Sequence, residues 1–190
     1  MFKAVLDTCV LWPSLQRDFL LTLATAGLYQ PLWSEEILDE LRRCEVSKLT
    51  SRGVSASDAT QRASALLLQM RSAFEGSMVA DVGRWASAYG LPDSDDEHVV
   101  AAAELGGAGA IVTVNIKDFP ARCLPDGVET KTPAEFAADV VDVQPAIALA
   151  AVHELLDRYK SPPMTVEEFL LTLDMRYGMC EAAAALRQLL

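Results

Sequence analysis

Apolar residues fall along this chain in two patterns, short unbroken runs and longer stretches in which they recur every three or four positions. Phe2-Lys3-Ala4-Val5-Leu6-Asp7 and Ala110-Ile111-Val112-Thr113-Val114 are of the first kind, and their lack of alternation predicts parallel strands covered on both faces. A brief third strand is predicted at about Val128 to Lys131. The second kind predicts a helix over about Trp12 to Ala26, stopped by Gly27, and another from an N-cap at Ser34 to about Glu45, with Ile37, Leu38, Leu41 and Cys44 as its stripe. Further helices are predicted over about Ser55 to Phe74, over about Ala80 to Tyr89 with Gly90 closing it, and over Ser94 to Leu105. Ser94 and Glu97 form a capping-box pattern for the last of these, and Gly106-Gly107 turns the chain after it. Strands alternating with helices imply an α/β fold, a doubly wound parallel sheet flanked by helices.

Thr132 and Glu135 form another capping-box pattern, and beyond about Ala138 no strand-like run recurs. Helices fit about Pro145 to Tyr159, then from Thr165, which opens its helix with Glu168 three residues on, towards Asp174, and Cys180 to Leu190. The predicted division is therefore a sheet domain over residues 1–137 and an all-helical extension over 138–190. The stripe of Ile147, Val152, Leu155 and Leu156 reads as a face packed on the sheet domain.

Composition narrows the class. The 190 residues, 51% of them hydrophobic, suffice for one packed domain with a modest extension. No run approaches the roughly 20 apolar residues that span a bilayer, and Asp7 interrupts any signal-peptide core, so a cytoplasmic chain with no membrane contact is expected. Cys9, Cys44, Cys123 and Cys180 lack metal-knuckle spacing and read as buried or incidental thiols. With 27 acids against 16 bases the formal charge is -11, which opposes long-range attraction to nucleic acid, leaves local basic patches open, and suits a basic partner.

The candidate chemistry lies in acids placed at element ends. Asp7 ends the first strand, Glu40 sits at the edge of its helix stripe, Asp93, Asp95 and Asp96 crowd one helix start, and Asp118 follows the second strand. In open α/β sheets ligands bind outside the carboxyl ends of the strands, where such carboxylates can converge. Converged carboxylates need protons or cations, so a divalent-metal site is the economical reading. Each acid also has a plainer role: Asp7 as a turn cap, Glu40 beside an Asp39–Arg43 pair, Asp93 or Asp95 as a helix cap, Asp118 as a turn closer. His98 reads as a neighbour of the site. Neither His98 nor His153 lies in a nucleophile motif, and no phosphate-cradling glycine loop is present. Metal-assisted phosphodiester hydrolysis remains. Lys48, Arg42, Arg43, Lys117 and Arg122 are candidates for backbone contacts.

Four stretches carry a resemblance: Leu6-Asp7-Thr8, Ser34-Glu35-Glu36-Ile37-Leu38-Asp39-Glu40-Leu41, Leu91-Pro92-Asp93-Ser94-Asp95-Asp96-Glu97-His98, and Ile111-Val112-Thr113-Val114-Asn115-Ile116-Lys117-Asp118-Phe119. They are similar to those of the PIN-domain ribonucleases, and more closely of the VapC-like toxins of bacterial toxin-antitoxin pairs. The resemblance implies that Asp7, Glu40, Asp96 and Asp118 hold Mg²⁺ or Mn²⁺ for RNA hydrolysis, with Asp93 as the main ambiguity in its cluster. It further implies that Thr8 orients the first acid, that Thr113 and Asn115 orient the fourth, and that the partners are RNA, a cognate basic antitoxin and a second copy in a homodimer. Cys9 stands where many relatives carry asparagine. Two readings compete with it: a PIN-like module that binds RNA or protein without cleaving, and an aspartyl-phosphate receiver or phosphatase. The second lacks an Asp-x-Asp after the first strand.

Overall fold

The computed structural model describes residues 1–85, 88–159 and 162–190. Five parallel strands, β1 (Lys3–Leu6), β2 (Gln30–Ser34), β3 (Met78–Val79), β4 (Ala110–Val112) and β5 (Glu129–Lys131), lie in the order β3-β2-β1-β4-β5. The chain winds outward from β1 in one direction through β2 and β3, then crosses back to β4 and β5. The reversal places a crevice between the carboxyl ends of β1 and β4, the usual ligand position in such sheets. Asp7 stands there, its N–H donating to the Val112 carbonyl at 3.1 Å.

Helices cover both faces: α1 (Thr8–Leu11), α2 (Ser14–Thr25), α3 (Glu35–Ser51), α4 (Ala56–Ala73) and α5 (Glu97–Gly106) in the first part, then α6 (Pro133–Val143), α7 (Pro145–Arg158), α8 (Val166–Tyr177) and α9 (Cys180–Arg187). Caps at Ser34, Ser55, Thr132 and Thr165 hold as the sequence predicts, the last two as complete capping boxes. Gly107, at φ 65°, ends α5, and Gly106 lets that end approach β2, since a Cβ there would stand 2.6 Å from Leu32.

The structure departs from the sequence reading in five places, the first being α1, a helical turn over Thr8–Leu11 ahead of the predicted helix, which itself begins at Ser14. The strands β2 and β3 were not predicted. Pro31 argues against a central strand because it cannot donate. Here its nitrogen faces the β3 side, where pairing begins only at Trp33, so nothing is lost. Next, α3 continues to Ser51 because its buried face is carried on past Cys44 by Glu45, which is 6% exposed and paired with Arg17 at 3.0 Å. Over residues 80–89 the described part holds only a 3-10 turn, Val82–Arg84, entered through Asp81 at φ 61°; residues 86 and 87 lie outside the described residues. The amide N–H groups of Tyr89, Gly90 and Leu91 turn to the Glu97 carboxylate instead of continuing a helix. Lastly, the cap near residue 94 is Asp93, which accepts from the Asp95 N–H at 2.9 Å and opens a 3-10 turn, Ser94–Asp96, ahead of α5.

The C-terminal helices share the core of the sheet domain. Phe169 of α8 meets Phe19 of α2 edge-on at 5.8 Å between centroids, and Phe136 of α6 meets Tyr29 likewise at 4.8 Å. Val152, Leu155 and Leu156 are buried as the stripe predicts, whereas Ile147 stays exposed. No single helix among the described residues is long and apolar enough to cross a membrane. The four cysteines are free, Cys180 exposed and the others half-buried.

Candidate active site

Asp7 emerges from the central strand into the crevice, 5% exposed. Its Oδ2 accepts from the Thr113 hydroxyl at 2.7 Å and from the Cys9 thiol at 3.0 Å. Thr113 follows β4 and is itself a relay, since its oxygen accepts the Asn115 N–H at 3.0 Å. Cys9 accepts the Val114 N–H at 3.3 Å while donating to Asp7, so the thiol ties the two strand ends together. Burial, the Asp7 charge and the bond to Asp7 push the Cys9 thiol up to about 12, which keeps it a proton donor.

These bonds redistribute the supporting roles implied by the family resemblance. Thr113 holds the first acid and not the fourth. Thr8, opening α1, turns its hydroxyl away from Asp7 to α3, where the Glu40 Oε2 lies at 2.9 Å and the Ile37 carbonyl at 3.2 Å. Asn115 serves Asp118 through its backbone, its carbonyl accepting the Asp118 N–H at 2.9 Å to close the 3-10 turn Ile116–Asp118. The expected Asp39–Arg43 pair is also rearranged: Arg42 meets Asp39 at 3.3 Å and Arg43 approaches Glu40 at 3.9 Å.

Electrostatics connect the acids across three elements. The Asp96 carboxyl is pushed up from 3.8 to about 6, first by burial and then by the charges of Asp7, Asp93 and Asp118, against an opposing pull from His98. Among the described residues Glu40 is not one of the charges that act on Asp96; its tie towards Asp7 is the bond from Thr8, the next residue in sequence. His98 is 6% exposed, its Nδ1 donating to the Asp95 carbonyl at 2.6 Å and its Nε2 unpartnered. Among the described residues no three His, Cys, Asp or Glu side chains close on one point as a finished metal site. Mutual repulsion, about 4 kcal/mol for unit charges 4 Å apart at an effective dielectric near 20, opposes further closure. The donor set nevertheless fits a hard divalent cation. It is all oxygen, and among the described residues Asp7 Oδ1 accepts no hydrogen bond while Oδ2 is held by two.

Residues 3–117 match the model described as PIN domain, more than half of the chain. The chain belongs to the PIN domain family. Beyond its PIN domain, residues 133–188 match the VapC50 C-terminal domain. A curated relative from Mycobacterium tuberculosis (strain ATCC 25618 / H37Rv), named "Putative ribonuclease VapC50", is 36% identical over 76 residues, which cover 40% of this chain and 45% of the relative. The chain thus aligns with less than half the length of that relative. No solved structure matches the chain.

Of the basic candidates, Arg43, Lys117 and Arg122 are exposed. Lys48 is instead consumed by the fold, bonded to Glu45, to the Trp12 carbonyl at 3.2 Å and to Ser14 at 3.2 Å. The part played by Cys9 was not legible from sequence, because a thiol gives no sign of the partners that burial will force on it.

Proposed function

We propose that this PIN-domain chain is a divalent-metal-dependent endoribonuclease, the toxin of a toxin-antitoxin pair, with Asp7, Glu40, Asp96 and Asp118 as its acidic set. What carries this reading is the PIN-domain match over residues 3–117 together with the place of Asp7 at the switch point of the sheet, near enough to Asp96 for its charge, with those of Asp93 and Asp118, to raise the Asp96 carboxyl. Asp7, Asp96 and Asp118 would hold Mg²⁺ or Mn²⁺, with Glu40 reaching in from α3. The bound cation supplies charge neutralisation and Lewis-acid polarisation of a phosphoryl oxygen. Thr113 and Cys9 keep Asp7 in one orientation, and Thr8 does the same for Glu40. A carboxylate of this set such as Asp96 would take a proton from the attacking water. The name of the mycobacterial relative supports ribonuclease chemistry. A formal charge of -11 suits a basic antitoxin. A homodimer, a cytoplasmic location and a division into residues 1–137 and 138–190 belong to the same proposal.

RNA incubated with the full chain should be cut in Mn²⁺ and spared in excess EDTA, and Asp96→Asn should lower the rate about 100-fold or more. Cleavage that persists unchanged in chelator ends the metal mechanism. A chain that binds RNA but cuts none in Mn²⁺ is the non-cleaving module instead.

A further inference from the structure

A cavity of about 640 Å³ opens between the end of α1, the C-terminal half of α3 and the C-terminal end of α8. Its walls begin one helical turn beyond Glu40, at Cys44, and five residues beyond Asp7, at Trp12. Cys44, Ser47, Lys48 and Ser51 line it and continue the face of α3 that carries Glu40, reaching roughly 16 Å along the helix axis. On the other side, the four residues of α1 lead from Asp7 to Trp12. Arg176 and Tyr177, from the helical extension, close the far end.

The chemistry of this groove is the opposite of the chain's average. Among the described residues no Asp or Glu lines it, although acids outnumber bases 27 to 16 overall. Arg52 and Arg176 are exposed, and among the described residues neither forms an ion pair. Two aromatic rings accompany them. Trp12 is 43% exposed with the Lys48 Nζ 5.8 Å from its ring centroid, and the Arg176 guanidinium lies 5.5 Å from that of Tyr177. Cations that follow a backbone, interleaved with rings on which bases stack, are the working parts of single-strand nucleic-acid channels.

We propose that this groove is the track for single-stranded RNA flanking the scissile phosphodiester. Phosphates meet Arg52 and Arg176, bases stack on Trp12 and Tyr177, and the C-terminal extension is thereby a substrate-binding element. The proposal deepens the nuclease reading and rests on it for the choice of RNA. A basic antitoxin segment is repelled by the same cations.

The test uses the full chain and a fluorescent uridine oligonucleotide of about twelve residues, titrated in EDTA at several salt concentrations. The Arg52→Ala/Arg176→Ala variant should bind about tenfold more weakly and show a log–log salt slope shallower by about 1.4, at roughly 0.7 per lost phosphate contact. Trp12→Ala should weaken binding by a similar factor, and in Mn²⁺ the double variant should raise KM and leave kcat near wild type. Both arginines are exposed, so the double variant keeps the wild-type melting temperature. Affinity and slope unchanged in the double variant, or a wild type that does not bind the oligonucleotide, overturn the groove. Cleavage with an unaltered KM in the double variant overturns it while the nuclease reading stands. Groove-dependent binding by a wild type that cuts nothing in Mn²⁺ supports RNA binding in the groove but overturns both its place beside a scissile bond and the nuclease reading.

Discussion

At the scale of single residues, the site is a problem of holding like charges near one another. Asp7 is tolerated in its buried position by a hydroxyl and a thiol that both donate to one oxygen. Because the Cys9 thiol is pushed up to about 12, it should resist alkylation at neutral pH in the folded chain. Mass mapping after brief iodoacetamide treatment should find label on Cys180 first and on Cys9 last; early labelling of Cys9 would contradict the bond to Asp7. Asp96 carries the opposite tension. A carboxyl raised on folding keeps its proton in the native chain at a pH where the unfolded chain has lost it. Its contribution therefore favours the native state below about 4 and is lost as pH rises through 6. In EDTA, Asp96→Asn should raise the melting temperature at pH 7 and leave it little changed at pH 4. An equal shift at both values would remove the electrostatic account of this residue.

At the scale of elements, Glu97 decides how α5 meets the loop before it. It was predicted to close its own helix start, yet it accepts the N–H groups of Tyr89, Gly90 and Leu91 at 3.3, 2.8 and 3.3 Å while only 3% exposed. One carboxylate thus fixes the segment leading to Asp93 and Asp96. Glu97→Ala should cost about 2 to 4 kcal/mol in denaturant unfolding, because buried donors lose a charged acceptor. It should also lower Mn²⁺ affinity, since Asp96 begins where this segment ends. A variant as stable as wild type would show that the loop finds other acceptors. The same logic explains why a capping-box pattern read correctly at Thr132 and Thr165 failed at Ser94: the local partner was outcompeted by three amides brought in from elsewhere.

At the scale of the whole molecule, the PIN domain and its extension are joined by a common core. Phe169 packs at 0% exposure against Phe19, and a buried Arg17–Glu45 pair ties α2 to α3 nearby. Phe169→Ala should therefore destabilise the chain by about 3 to 5 kcal/mol. Calorimetry should show one transition moved to lower temperature. An early melting step confined to the extension would instead mark α8 and α9 as an independent unit.

Much of this protein was legible in order along the chain. The central strand, the second buried strand, the long helices, their caps at Ser34, Ser55, Thr132 and Thr165, and the acids at element ends all follow from residue type and local spacing, whose physics is local. Four things needed the folded chain. Pro31 becomes strand only because β3 starts two residues further on. Glu45 prolongs a helix face only because Arg17 is there to meet it. Thr8 holds Glu40 and Thr113 holds Asp7 because their hydroxyls reach across 32 and 106 positions of sequence. Arg52, Arg176 and Trp12 make a groove only when three helices from distant parts of the chain meet. Local pattern sets which elements form; which polar groups satisfy one another is settled by what the packing brings within hydrogen-bond reach.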